Sequence, residues 1–370
     1  MKPVTAAATL LVLCLVSTQA TRGADVTPLA IGSAAPDFNL PGVDGQRHVL
    51  HEYDNSKILA VLFTCNHCPT AQAYEARVKQ MVADYSPKDV ALVAINPNNP
   101  EAVRLDELGY TDLSDSLDEM KIRAKDQDFK FPYLFDGETQ TVAHAYGVIA
   151  TPHVFIFDAQ RKLRYQGRID DSDVKEVHST DARNALDALL AGKPVPVETT
   201  RVFGCSTKWI EKEDAARKAV EKWNAQPVTL SPIDAKAVKE LAKNDTKNLR
   251  VINVWATWCG PCVAEMSELI KLPQMYQRRG FEFITISADD IAKTDRALAL
   301  LKEKHVAAPN YIFNFDDHDA QAEALDKAWQ GPLPHTLVVA PGGKVIYRHT
   351  GELDLLELKR AIVGYLGRTY

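Results

Sequence analysis

The sequence predicts an α/β fold made of two similar units, each with a central mixed sheet flanked by helices. At 370 residues the chain is longer than one hydrophobic core usually supports. Apolar, β-branched runs alternate with amphipathic helical patterns, which is typical of sheets covered by helices. The same order of elements occurs twice, each time with a Cys-x-x-Cys pair after a buried strand and an X-Pro step before a later strand.

The N-terminus predicts export. Lys2 precedes an apolar run over 6–16, and Thr18-Gln19-Ala20 ends with a small residue, so residues 1–20 are predicted to be a signal peptide. The run is too short to cross ~30 Å of hydrocarbon. We therefore expect a periplasmic or otherwise extracytoplasmic protein with no transmembrane anchor after cleavage. An uncleaved N-terminal helix is the alternative.

Charge and cysteine content narrow the classes of function. The formal net charge is −6, with no basic block of the kind that binds phosphates, so nucleic acid is not an expected partner. Of the six cysteines, Cys14 lies in the predicted signal peptide and four others form two Cys-x-x-Cys pairs. A small scaffold held by disulfides would carry many more, so the cysteines indicate chemistry.

The first predicted unit spans residues 28–209. Its predicted elements are a strand over 58–63, Cys65-Asn66-His67-Cys68, a helix to about 85, a strand over 90–95, a helix over 114–128, Thr151-Pro152, a hairpin over 154–167 and a helix over 181–191.

The second predicted unit spans residues 227–370 and follows a predicted linker helix at 210–226. Its core elements are a strand over 249–257, Cys259-Gly260-Pro261-Cys262, a helix from 263 toward 279 that Pro273 interrupts, a strand over 281–287, a helix over 294–305, Leu333-Pro334, a hairpin over 336–348 and a closing helix over 355–366.

A Cys-x-x-Cys pair at a helix N-terminus suits disulfide exchange. The helix dipole and free amide groups stabilise the first sulfur as a thiolate, and the spacer lets the second sulfur reach it. Cys259 is thus the predicted nucleophile and Cys262 the resolving thiol, with Cys65 and Cys68 as the matching pair. No cofactor is predicted beyond these redox-active disulfides.

A zinc site and a haem attachment site are the alternative explanations for such Cys-x-x-Cys pairs. The two pairs lie far apart in sequence and each opens its own strand–helix unit, which argues against a shared zinc site, so no metal is expected. Attachment of haem needs a histidine directly after the second cysteine. Val263 and Pro69 stand there instead.

The residues from Asn253 to Met266 (NVWATWCGPCVAEM) resemble the exported TlpA-like branch of the thioredoxin superfamily. Residues 28–209 resemble the redoxin family, which is peroxiredoxin-like, at 35–40 (APDFNL), 65–69 (CNHCP) and 150–153 (ATPH). The resemblance implies two tandem thioredoxin-like sandwiches.

The resemblance also implies roles for single residues. Glu265 would manage the proton of Cys262. Pro334 would be a cis-proline whose loop faces the cysteines and pairs with substrate backbone, Pro152 would be its counterpart, and Trp258 would lie near the groove. The implied partners are protein thiols and disulfides, and a membrane or soluble electron donor.

The sequence allows two alternative roles for each of two residues in the first unit, His67 and Cys205. His67 would place positive charge beside the Cys65 thiolate, lower its pKa and make the Cys65–Cys68 couple more oxidising than Cys259–Cys262; the alternative is a solvated histidine. Cys205 is either a third redox thiol or a buried free cysteine. His153 and His335, which follow the two prolines, are expected to be solvated.

The first unit also has alternative functions. A peroxidase would carry threonine three residues before its cysteine and proline seven before it, but Leu62 and Ile58 hold these positions relative to Cys65. A second alternative is a soft-metal site for copper formed by residues 65–68. A third is a surface that only binds a protein.

Overall fold

The computed structural model describes residues 26–370, so the predicted signal peptide lies outside the described residues. The strands of the first domain are β1 (Asn39–Pro41), β2 (Arg47–Val49), β3 (Ile58–Phe63), β4 (Val90–Asn96), β5 (Tyr133–Phe135), β6 (Ala150–Thr151), β7 (His153–Phe157), β8 (Leu163–Gly167) and β9 (Cys205–Ser206). Its helices are α1 (Pro69–Tyr85), α2 (Leu117–Asp126), α3 (Thr141–Tyr146) and α4 (Asp181–Leu190), and α5 (Glu213–Asn224) follows within the predicted linker helix.

The second domain repeats this plan. Its strands are β10 (Ser231–Ile233), β11 (Leu249–Trp255), β12 (Phe281–Ser287), β13 (Asn310–Phe313), β14 (His335–Ala340) and β15 (Lys344–Thr350). Its helices are α6 (Ala235–Lys243), α7 (Gly260–Leu269), α8 (Lys271–Met275), α9 (Thr294–Glu303), α10 (His318–Leu325) and α11 (Leu355–Leu366).

Both central sheets are mixed. The strand order is β5-β4-β3-β7-β8 in the first domain and β10-β13-β12-β11-β14-β15 in the second. In each sheet the strand that leads to the cysteines is central: β3 runs parallel to β4 and antiparallel to β7, and β11 runs parallel to β12 and antiparallel to β14. The predicted fold class, two sandwiches in tandem, is confirmed.

Alternate residues of the central strands point to opposite faces, and both faces are covered. Leu62 packs with α1 and α4, whereas its neighbour Phe63 packs with α3. In the second domain Ile252 packs with α6 and α10, and Val251 packs with α7, α8 and α11. Burial on both faces explains why these strands are continuous apolar runs in the sequence.

Eight short elements are not predicted by the sequence: β1, β2, β5, β6, β9, β13, α3 and α10. Strands of three or four residues contain too few positions to show alternation, and α3 has only six residues. The bounds of two predicted helices also differ from those in the structure. The helix predicted over 114–128 begins at Leu117 with Ser116 as its cap, and the helix after Cys259 begins at Gly260 and is divided into α7 and α8.

The two domains contact each other through arginines of the second and a loop of the first. The Arg279 guanidinium lies 3.9 Å from the ring centre of Tyr110 and donates to the Gly109 carbonyl at 2.7 Å. Arg368 Nη1 donates to Asp112 Oδ1 at 2.6 Å, and Arg360 also binds Asp112. The contact therefore combines ion pairs with a cation–π interaction.

This contact lies at the end of the second sheet opposite to its cysteines. The Leu249 amide, at the start of β11, donates to the Gly280 carbonyl beside Arg279, whereas Cys259 follows the other end of β11. Seven strand residues span about 23 Å. The Cys259–Cys262 pair thus lies at the end of β11 that is remote from this contact. Within residues 26–370, no helix is both long and apolar enough to cross a membrane.

Candidate functional site

The second domain presents a disulfide at a helix N-terminus. Cys259 is the cap residue of α7 and is bonded to Cys262, with their Cα atoms 5.3 Å apart. The Cys262 amide points at Cys259 Sγ over 3.3 Å. When the disulfide is reduced, this amide and the helix dipole are placed to stabilise a thiolate on Cys259.

A buried carboxylate holds the turn that precedes these cysteines. Asp289 Oδ2 accepts a hydrogen bond from the Thr257 amide at 2.9 Å, and its Oδ1 accepts one from the Thr257 hydroxyl at 2.7 Å. Asp289 follows β12, so the neighbouring parallel strand fixes the turn. Asp289 could not be predicted from the sequence, because nothing in the local sequence links it to residues 256–258.

Access to the disulfide is limited to one side. Cys259 is 6% exposed and Cys262 is 1% exposed, whereas Trp258 beside them is 63% exposed. Leu333 packs against the apolar cluster that contains both cysteines, and the Leu333–Pro334 bond is cis, as the resemblance implies. The structure therefore brings Trp258, the cysteines and the Pro334 loop together at one surface.

Glu265 lies in the helix one turn beyond Cys262. Its Oε2 accepts from the Leu353 amide at 3.2 Å and its Oε1 from Asn253 Nδ2 at 3.4 Å. Burial raises the pKa of Glu265 to about 7, although both hydrogen bonds oppose this shift. A carboxyl group with this pKa exchanges protons readily near neutral pH.

The expectation that His153 and His335 are solvated is wrong, because both side chains are fully buried. His335 stacks on Trp329 with ring centres 5.1 Å apart, and its Nδ1 lies 2.8 Å from the Thr350 hydroxyl. Burial lowers the pKa of each histidine to about 4. They are neutral core residues at the start of interior strands.

In the first domain the cysteines sit differently on their helix. Helix α1 begins at Pro69, so Cys68 is the cap residue and Cys65 lies outside the helix. The predicted helix after Cys68 is confirmed, and the first cysteine of this pair lies outside its helix, whereas Cys259 caps α7. Proline directly after Cys68 explains the shift, because its fixed φ favours the first helical position.

In the first domain, the buried carboxylate of Asp115 holds the segment between Cys65 and Cys68 in place. Its Oδ1 accepts from the amides of Asn66 and His67 at 2.8 and 3.1 Å, and its Oδ2 lies 2.5 Å from His67 Nδ1. Asn98 Nδ2 also donates to Asp115 Oδ2 at 2.8 Å. Sequence reasoning missed both Asp115 and Asn98, since only the tertiary fold brings them to the cysteines.

His67 is buried rather than solvated, and its charge helps to lower the pKa of Cys68. Although burial opposes ionisation of the imidazole, the Asp115 carboxylate raises the pKa of His67. Burial, the Cys68 sulfur and the Asp115 charge raise the pKa of Cys65. Against burial, hydrogen bonds from Cys205 and Cys65 and the charge of His67 lower the pKa of Cys68. The prediction that His67 lowers the pKa of Cys65 is wrong; the order of the two redox potentials stays a prediction.

Cys205 lies beside this pair. Strand β9 pairs antiparallel with β6 so that Cys205 is opposite Thr151, and the Thr151–Pro152 bond is cis. Cys65 Sγ lies 3.1 Å from the Thr151 hydroxyl oxygen, and Cys68 Sγ lies 3.4 Å from the Thr151 carbonyl oxygen. Cys205 packs against both cysteines.

The same cluster contains groups that bind metals. One ligand atom each of Cys65, His67 and Asp115 lie within 4.8 Å of one another. His67 Nε2 is buried and has no hydrogen-bond partner among the described residues. Asp115 already accepts four hydrogen bonds, so it is better suited to orient His67 than to bind an ion directly.

Comparison with known proteins gives two family matches. The AhpC/TSA family model matches residues 31–166, and the Redoxin model matches residues 221–362. Together these matches cover well over half of the chain. The Redoxin model thus matches the second domain, while the peroxiredoxin-like character expected of the first corresponds to the AhpC/TSA match.

Curated relatives are similar over about a third of the chain. Thiol-disulfide oxidoreductase ResA of Bacillus cereus is 28% identical over 134 residues, which is 35% of this chain and 68% of that protein. ResA of Oceanobacillus iheyensis is 29% identical over 146 residues, which is 40% of this chain and 64% of that protein.

A solved structure is similar to half of the chain. It is a hypothetical protein from Sinorhizobium meliloti with 34% identity, covering 50% of this chain and 96% of that one at a TM-score of 0.45. The two sandwiches and the two family matches agree on the organisation of the molecule. The chain belongs to the thioredoxin superfamily, as a tandem of an AhpC/TSA domain and a redoxin domain.

Proposed function

We propose that this protein is an extracytoplasmic thiol–disulfide oxidoreductase that acts by dithiol–disulfide exchange. The observation that carries the proposal is the Cys259–Cys262 disulfide at the N-terminus of α7, next to the exposed Trp258. The ResA relatives, which are named thiol-disulfide oxidoreductases, support it. The chain spans about two thirds of their length, so substrates and donor are part of the proposal.

The exchange at this site is a pair of thiolate displacements. The Cys259 thiolate attacks a substrate disulfide, so that a Cys259–substrate bond forms and the substrate's other sulfur leaves as a thiolate. Cys262 then attacks Cys259 Sγ, which restores the intramolecular disulfide and releases the second substrate thiol. The substrate gains two electrons and the enzyme dithiol loses them. Glu265 would accept the proton that Cys262 loses.

Substrates and localisation follow from the same chemistry. An exposed Trp258 next to the cysteines and a cis-proline loop beside them suit protein disulfides as substrates. The signal peptide predicted at residues 1–20 supports a periplasmic or otherwise extracytoplasmic location. Because such compartments are oxidising, a membrane or soluble electron donor would have to reduce the Cys259–Cys262 disulfide again.

The test is to trap the mixed disulfide. In the Cys262→Ser variant the Cys259–substrate bond cannot be resolved, so disulfide-linked complexes should accumulate and should disappear on reduction. The matched control is the Cys259→Ser, Cys262→Ser double variant, which should trap nothing at this site. Absence of complexes with the single variant, together with no reduction of insulin by the wild-type protein, would contradict the proposal.

We infer that the Cys65–Cys68 pair takes part in exchange as a second site. The observation that supports this is the stabilisation of the Cys68 sulfur by two neighbouring thiols, by its position as the α1 cap and by His67.

A peroxidase is less well supported despite the AhpC/TSA match. Ile58 and Leu62, at the positions where a peroxidase needs proline and threonine, are buried in β3. Consumption of hydrogen peroxide by the wild type that is lost in Cys65→Ser would overturn this view.

A soft-metal site is the second candidate function of the first domain. The unpartnered His67 Nε2 and the thiols beside it favour this, because thiolates and imidazole select ions such as Cu(I). Thiol quantitation with and without added copper distinguishes the candidates. Retention of copper in a fixed ratio, lost in His67→Ala, supports a metal site. A Cys65–Cys68 disulfide that dithiothreitol opens without metal release supports exchange.

A further inference from the structure

The Cys65–Cys68 pair is closed to solvent, which raises the question of how it meets a partner. Cys65 and Cys68 are both buried, whereas Cys205 is partly exposed. Cys205 lines a cleft of about 440 Å³ between the two domains, together with His67, Tyr110, Lys208 and Tyr370. Of the three free thiols among the described residues, Cys205 is therefore the most accessible to a molecule in this cleft.

The backbone around Cys205 is built for close approach to the cysteine pair. Thr151, which contacts the sulfurs of both Cys65 and Cys68, pairs with Cys205 in the β6–β9 ladder. Gly204 has a φ of +134°, and a Cβ at this position would lie 2.1 Å from the Thr151 carbonyl oxygen. Only glycine lets the segment lie this close to Thr151.

The segment also occupies the edge that an extended substrate would use. Residues 205–206 already take up the hydrogen-bonding edge of Ala150–Thr151, next to the cis-Pro152. A protein chain therefore cannot pair with this edge while the β6–β9 ladder is formed. In the second domain, by contrast, no strand or bridge of the described residues pairs with residues 332–333, which precede the cis-Pro334.

We propose that Cys205 is a relay thiol, through which the buried Cys65–Cys68 pair exchanges with disulfides that enter the cleft between the domains. This rests on the proposed function, since it assumes that Cys65–Cys68 is redox-active. Cys205 passes its proton to the neighbouring Cys68 sulfur and attacks an incoming disulfide, so that a Cys205–reagent bond forms. The reagent's other half leaves as a thiolate and takes up the proton from Cys68. Cys68 attacks Cys205 Sγ, which forms Cys68–Cys205 and expels the remaining half. Cys65 then attacks Cys68 Sγ, so that Cys65–Cys68 forms and Cys205 leaves as a thiolate.

Electrons and protons balance across these steps. The incoming disulfide gains two electrons and becomes two thiols, and Cys65 and Cys68 lose two electrons and two protons. Cys205 returns to its starting state. The same steps in reverse reduce the pair with two equivalents of an external thiol, so no other reactant is required.

The test uses the full chain and oxidised glutathione, with the redox state of each cysteine followed by mass spectrometry after acid quenching. In Cys205→Ser, and in Cys205→Ala as a second variant, oxidation of Cys65–Cys68 should slow by about tenfold or more, because exchange rates depend on access to the attacking thiol. In Cys65→Ser, a Cys68–Cys205 disulfide should accumulate.

Exchange at Cys259–Cys262 in the same molecules is the internal control and should not change. Oxidation of Cys65–Cys68 at the wild-type rate in both Cys205 variants would overturn the relay, and so would glutathione left on Cys68 in Cys65→Ser. If Cys65–Cys68 fails to exchange even in the wild type, it is the proposed function of the first domain that fails.

Discussion

Glu265 and Asp115 are buried acids beside the two cysteine pairs, and their pKa values are shifted in opposite directions. Burial raises the pKa of Glu265 to about 7, whereas the charge of His67 and several hydrogen bonds, acting against burial, lower the pKa of Asp115. Glu265 can therefore exchange a proton near neutral pH, while Asp115 stays ionised and fixes its neighbours. The role of Glu265 could be predicted from the sequence motif, because Glu265 follows Cys262 at a fixed spacing. Asp115 was not.

Replacing Glu265 with Gln should change both exchange and stability. Exchange near pH 7 should slow by about tenfold or more, because a proton acceptor for Cys262 is lost. The folded-state pKa lies above the unfolded value of 4.5, so the folded protein binds more protons between pH 4.5 and about 7, and wild-type stability falls as pH rises through this range. After discounting for solvent access, the loss is on the order of 1–2 kcal/mol.

Urea unfolding of the wild type and Glu265→Gln at pH 4.5 and pH 8 measures this difference. The variant should lack the wild type's loss of stability at the higher pH. An unchanged pH dependence in Glu265→Gln would show that the carboxyl group does not titrate as described.

Replacing Asp115 with Asn should destabilise the first domain. The substitution leaves His67 without its charged partner inside the protein, and breaking a buried pair in this way costs about 3 kcal/mol. Urea unfolding measures the loss. Asp118→Asn is the matched control, because that side chain is 89% exposed and Lys121 is its one ion-pair partner within residues 26–370; it should change stability by less than about 0.5 kcal/mol. Equal effects of the two substitutions would rule out the role given to Asp115.

At the scale of single elements, the two cysteine motifs differ in where their helices begin. Helix α7 starts directly after Cys259, whereas α1 starts directly after Cys68. The central strands and long helices were predicted because their patterns extend over many residues. The shift at Cys68 could have been inferred from Pro69, which favours the first helical position. The β6–β9 ladder could not, because two-residue strands leave no pattern and the pairing joins residues far apart in sequence.

Gly204→Ala tests that ladder. The added Cβ would meet the Thr151 carbonyl oxygen and the backbone φ would be strained, so β9 should separate from β6. Cys205 should then react faster with a bulky maleimide, by about tenfold, as local protection is lost. Gly364→Ala in α11 is the control, since a Cβ there meets nothing within 4 Å and should leave the reactivity of Cys205 unchanged. An unchanged rate in Gly204→Ala would contradict the described pairing.

At the scale of the whole molecule, the arrangement of the domains separates the two cysteine pairs. The second domain contacts the Gly109–Asp112 loop through Arg279, Arg360 and Arg368, and its own cysteines lie at the far end of β11. The tandem could be predicted from the repeated order of elements. Its geometry could not, because arginines that contact another domain look the same in sequence as arginines in solvent.

The separation predicts that the two pairs act independently in this arrangement. A Cys65→Ser, Cys68→Ser double variant should reduce insulin at the wild-type rate, within about twofold, because Cys259 and Cys262 are untouched and lie at the end of β11 remote from the contact between the domains. Loss of most of the activity in this variant would show instead that electrons pass between the domains.

The most direct test of thiol–disulfide exchange at Cys259–Cys262 is an equilibrium titration in glutathione buffers, with the disulfide quantified by alkylation and mass spectrometry. We expect a single reversible two-electron transition for Cys259–Cys262, in which a tenfold change in the equilibrium constant corresponds to about 30 mV. We also expect Cys65–Cys68 to titrate at a higher potential. A Cys259–Cys262 disulfide that stays closed at every glutathione ratio, and also in excess dithiothreitol, would contradict the assignment of this pair as a redox site.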